Sequence, residues 1–113
     1  ELVESKDTKI VSDIKFNSYL DGVSARINFG HLNLSVVKHS GSYGGTKGLY
    51  EIGMFDETNN NMIEMPGITV EGDTVKGFLS EHDVEDIIKK LQMKTGTNPV
   101  LVEEDDNVSI SSA

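Results

Sequence analysis

The chain has 113 residues, enough for one domain with one modest core. Hydrophobic residues make up 36% and charged residues 26%, a soluble globular composition and not a disordered one. There is no cysteine, which excludes disulfides and thiolate metal sites and fits a reducing compartment. Nineteen acidic against ten basic residues give a net charge of −9, a field that repels phosphate backbones and anionic membranes and attracts basic protein surfaces.

Taken in order, the chain reads first as strands. Segment Glu1–Lys6 has neither a basic nor an apolar stretch, so no signal peptide is expected there. Ile10, Ile14 and Phe16 fall on one parity, which predicts a half-buried strand over Lys9–Phe16. Asn17–Gly22 reads as a turn closed by the Asp21-Gly22 hairpin pair. Val23, Ala25, Ile27 and Phe29 alternate with Ser24, Arg26 and Asn28, and Gly30 ends that strand. Leu32, Leu34 and Val36 make another, reaching about His39.

Ser40–Gly48 carries four glycines in nine residues and is expected to be an irregular loop. Leu49–Phe55 resumes a strand with Tyr50, Ile52 and Met54 on one face. Asp56–Asn61 is a polar turn. Met62–Met65 reads as a short strand stopped by Pro66-Gly67. Ile68–Val70 and Val75–Leu79 are two further short strands about the Gly72-Asp73 turn.

One helix follows. Ser80 is a suitable N-cap, with Asp83 three residues on, close to a capping box. Val84, Ile87, Ile88 and Leu91 form a single apolar stripe, and Gly96 is a fitting C′ residue. That stripe has to lie on the apolar face of the sheet. Val100–Val102 can pair as a strand. Residues 1–102 therefore read as one α+β domain, an antiparallel sheet of about five strands with the helix across a face. Residues 103–113 read as an acidic, Ser-rich tail, with Glu103–Asp106 solvated. No apolar run approaches the roughly 20 residues of a membrane span.

The chemistry is mostly one of exclusions. Gly44, Gly45, Thr46, Lys47 and Gly48 resemble a phosphate-binding loop, but Thr46 precedes the lysine where such a loop needs Ser or Thr after it. The stretch also leads into a strand, not a helix. It is expected to be a hairpin loop presenting Tyr43 and Lys47 for contact. His31, His39 and His82 lack a second ligand at metal spacing, and Asp56–Asn61 lacks the EF-hand order. His39 with Ser40 and Ser42 has no nucleophile elbow and no orienting third group. No enzyme, metal or cofactor is therefore expected. The lysines and arginines do not cluster, which argues against direct nucleic-acid binding. Glu81, Asp83, Glu85 and Asp86 could present a row of negative charge to a basic partner.

Two segments carry a family resemblance: Leu34–Gly45, running on through Gly48–Ile52, and Val75–Val84. They resemble small, uncharacterised bacteriophage-encoded accessory proteins. These have a strand ending in Val-x-His-x-x-Ser-Tyr-Gly, then a strand with an aromatic followed by Glu, and a Gly-aromatic-Leu step into a helix. The resemblance implies a phage origin and the cytoplasm of an infected bacterium. The long N-terminal strand and acidic tail depart from it. The resulting expectation is a host-takeover protein that binds and inhibits or modulates a host or viral protein through Tyr43, Gly44, Gly45 and Lys47, through the helix acids, or through the acidic tail. A nucleotide-sequestering protein using the glycine loop and a virion structural component are the alternatives. A homo-oligomer is compatible with all three.

Overall fold

The computed structural model describes residues 14–102. Residues 9–13 of the expected first strand and the whole of the 103–113 tail lie outside the described residues. The rest is a two-layer α+β arrangement, an antiparallel sheet carrying one helix, as the sequence implies. The strands are β1 (Asn17–Tyr19), β2 (Gly22–Phe29), β3 (Leu32–Lys38), β4 (Tyr50–Asp56), β5 (Val75–Leu79) and β6 (Val100–Val102). Helix α1 spans Glu81–Thr95. The path β1-β2-β3-β4-β5 is antiparallel throughout, and β6 joins the same edge of β2 that β1 occupies.

The register follows from the alternation. Ile27, Leu34 and Met54 stand opposite one another, as do Ala25, Val36 and Ile52. All are buried, together with Phe29, Tyr50 and Leu79. The helix lays Val84, Ile87, Ile88 and Leu91 on that layer. Each such side chain contributes roughly 1.5–3 kcal/mol by leaving water. Ser80 accepts from the Asp83 amide and Asp83 from the Ser80 amide, completing the capping box, and Gly96 ends the helix in a left-handed conformation.

Five readings change. Asn17–Tyr19 is a strand and not part of a turn. The turn is confined to Leu20-Asp21, and Asn17 pairs with Ser24. Ile14–Phe16, expected to be strand, is irregular: Ile14 joins the core and Phe16 packs on Tyr50. Met62–Met65 makes only an isolated bridge from Met62 to Phe55, and Ile68–Val70 is no strand. Both follow from the Pro66-Gly67 turn, where the Ile68 and Thr69 amides fold back onto the Met65 carbonyl. The glycine stretch, expected to lack regular structure, holds one 3-10 turn at Gly45–Lys47. No helix among the described residues is long and apolar enough to cross a membrane.

Candidate functional site

The glycine stretch connects two antiparallel neighbours, β3 and β4, and no helix springs from Gly48. It is closed by its own bonds. The Ser42 hydroxyl accepts from the His39 amide (2.9 Å) and donates to the His39 carbonyl (2.8 Å). The amides of Gly45, Lys47 and Gly48 donate to the carbonyls of Ser42, Gly44 and Gly45. Those donors are thus spent inside the loop and cannot serve an anion. Gly44 has φ +90, and a Cβ there would meet the Phe78 Cα at 2.9 Å. A Cβ on Gly45 would lie 1.7 Å from the His39 carbonyl oxygen. These two glycines are explained by packing. Lys47 is exposed on the 3-10 turn.

Tyr43 is held differently. Its amide donates to Glu51 Oε1 (3.0 Å), and its carbonyl accepts from the Phe78 amide (3.1 Å), while Gly77 leaves room for its side chain. The backbone is therefore pinned while the side chain is 60% exposed. Phe78, the aromatic of the Gly-aromatic-Leu step, stands beside it at 57% exposed. The β4–β5 ladder pairs Tyr50 with Leu79 but Ile52 with Lys76, so Gly77 and Phe78 together oppose Glu51 as a bulge. Phe78 has φ +56, a left-handed conformation that costs a non-glycine residue roughly 1–2 kcal/mol.

Phe78 also borders a groove of about 370 Å³ between β5 and α1, with Lys76, Asp83, Asp86 and Lys90 along it and Leu79 and Ile87 among its apolar lining. The Ser80 amide and then its hydroxyl hold the Asp83 carboxyl below its ordinary value. Asp86 lies 3.6 Å from His82. At about 100° per residue, Asp83 and Asp86 share one flank of the helix while Glu81 and Glu85 share the other. The structure thus gathers Tyr43, Gly44, Asp83 and Asp86 around Phe78. It leaves Glu81 and Glu85 on a separate flank, and Lys47 outside the groove.

The sheet face opposite the helix is polar. Arg26 lies over the Phe55 ring (4.5 Å) and donates to Asn60 (3.2 Å), while Asn28 and Asn33 both donate to Glu57. These bonds fasten the 56–61 turn to the sheet. Thr58 bonds to the Asp56 carboxyl, hydroxyl first and amide second, and holds its pKa below the ordinary value. No metal-binding group of His, Asp or Glu occurs among the described residues. Ser42 donates to the backbone of His39 and not to its imidazole, whose Nδ1 accepts from the Gly41 amide (3.0 Å).

These features define a two-layer α+β domain with a polar sheet face and an aromatic pair exposed beside a groove of mixed charge. No protein-family model matches the chain, and no curated protein or solved structure matches it either.

Proposed function

We propose that the chain is a phage-encoded accessory protein that works without catalysis, by binding and modulating a host or viral protein in the infected bacterial cytoplasm. The observation that carries this reading is the pair Tyr43 and Phe78. Both rings are exposed, both backbones are pinned by one hydrogen bond, and Asp83 and Asp86 stand beside them. Rigid aromatic anchors next to charge are the composition of binding hot spots. The net charge of −9 favours a partner with a basic surface. The phage resemblance of Leu34–Ile52 and Val75–Val84 covers the loop and the bulge that build this pair.

The test is capture of partners from host lysate on the immobilised full chain. Tyr43→Ser and Asp86→Lys should each lower retention of the same basic protein by about tenfold, roughly 1.4 kcal/mol. Raising the salt shortens the Debye length from about 10 Å at 0.1 M to about 3 Å at 1 M and should release it. Retention indifferent to both substitutions and to salt would sink the reading.

A further inference from the structure

The chain enters the glycine loop from β3 through His39, Ser40, Gly41 and Ser42, and each of their amides has a defined acceptor. The His39 amide donates to the Ser42 hydroxyl (2.9 Å) and the Ser40 amide to Asp21 Oδ1 (2.9 Å). The Gly41 amide donates to His39 Nδ1 (3.0 Å) and the Ser42 amide to the His39 carbonyl (3.0 Å). Gly41 leaves room for this arrangement, since a Cβ there would stand 3.2 Å from the imidazole Cε1. The imidazole is half-buried and meets the Tyr19 ring edge-on at 5.3 Å.

Three of these acceptors, a hydroxyl, a carbonyl and a carboxylate, keep their lone pairs throughout the neutral range. The imidazole does not. To accept from an amide, Nδ1 must be bare, which places the single proton of the neutral ring on Nε2. Imidazole is the side chain that changes charge between about pH 5 and 8, and its second proton goes to Nδ1. Two donors then face each other across the same 3.0 Å, and a backbone amide cannot reverse its role.

The groups around the ring do not restore the bond. Asp21, from the β1–β2 turn, lies within electrostatic reach of His39, and an imidazolium is drawn toward it and not toward Gly41. Tyr19, from β1, presents only its ring. Glu51, on β4, is taken by the Tyr43 amide, and Lys38 is held over the Tyr50 ring. His82 differs in kind: it stands 3.6 Å from the Asp86 carboxylate, a contact that protonation strengthens.

We infer that His39 is a proton-operated latch on the glycine loop. The neutral imidazole holds Gly41, and with it the entry to the loop, and acidification lets it go. The loop carries Tyr43, but the latch belongs to the free chain and does not depend on the protein-binding reading.

The test follows the isotope-labelled full chain by NMR from about pH 8 to about pH 5. Long-range imidazole nitrogen spectra should show His39 Nδ1 bare and Nε2 protonated at the upper end. The Gly41 amide signal should move with the same midpoint as the His39 ring. Its protection against exchange, taken relative to the unfolded-chain rate at each pH, should fall about fivefold, the equivalent of roughly 1 kcal/mol. His39→Asn supplies a side-chain oxygen that accepts from the amide two residues on without titrating, so Gly41 should stay protected across the whole range. His39→Ala should leave Gly41 unprotected at both ends, and Asp21→Asn should leave the Gly41 transition in place. A proton on Nδ1 of the neutral ring, a Gly41 amide indifferent to the His39 titration, or a transition that survives in His39→Asn would each overturn the latch.

Discussion

Gly44 and Phe78 touch across the glycine loop and the bulge, and both have left-handed backbones. At Gly44 the residue suits its conformation, so the fold alone accounts for it. At Phe78 it does not, and the fold would be served better by a smaller residue. A position of the Gly44 kind attracts attention in a sequence and turns out to be architecture. At a position of the Phe78 kind the conflict between residue and conformation shows only when its backbone is known. A glycine cluster is therefore weak evidence of a binding loop, whereas an exposed, conformationally misplaced aromatic is stronger evidence of a binding surface.

The contrast can be broken most directly at the glycines. Gly45→Ala forces a Cβ into the His39 carbonyl, an atom of the backbone that cannot swing away. It should cost about 3 kcal/mol in urea unfolding. A cost under about 0.5 kcal/mol, the size of an ordinary surface change, would mean that the loop is looser than described. At the misplaced positions the order should invert. Phe78→Gly should be more stable than Phe78→Ala by about 1 kcal/mol, since alanine keeps the unfavourable backbone and glycine relieves it. Equal stabilities would remove the strain from the account. Ser80 offers a residue matched to its place, and Ser80→Ala should lose about 1 kcal/mol together with the reciprocal cap.

The smallest effect is electrostatic. Ser40 lowers the Asp21 pKa through its hydroxyl and then its amide, and Ser80 lowers that of Asp83 through its amide and then its hydroxyl. Folded values below the unfolded one near 3.8 mean that these groups stabilise the fold above that pH. The contribution fades as the pH falls through the lowered folded values. Asp21→Asn and Asp83→Asn should flatten the decline of the urea midpoint below about pH 4. An unchanged slope in both would remove these carboxylates from the acid response.

How much the sequence revealed depends on how local the signal was. The β2–β3–β4 meander was legible because Ala25, Ile27 and Phe29 and their partners alternate strictly. The helix was legible because Ser80, Asp83 and Gly96 are caps with their own chemistry. Asn17–Tyr19 was misread because its polar residues carry no alternation, and pairing with Gly22–Ser24 makes it a strand. Tyr43 could be singled out as an aromatic in a loop. Phe78 entered only as the aromatic of the Gly-aromatic-Leu step, and its exposure was not legible, since it comes from a bulge against Glu51, a residue far away in sequence. The helix acids resembled one row, but the angular spacing that separates Glu81 and Glu85 from Asp83 and Asp86 becomes meaningful only once the buried stripe fixes the helix orientation.

One edge of β2 is shared end to end by two short strands, β1 against Gly22–Ser24 and β6 against Arg26–Asn28. The longest strand in the sheet is thereby shielded along that side by three-residue pieces drawn from opposite ends of the described chain. Unpaired strand backbone is a template for intermolecular pairing. Losing Val100–Val102 would uncover the donors and acceptors around Ile27 and take Leu101 off the core, so this short strand covers an edge as well as packing beneath it.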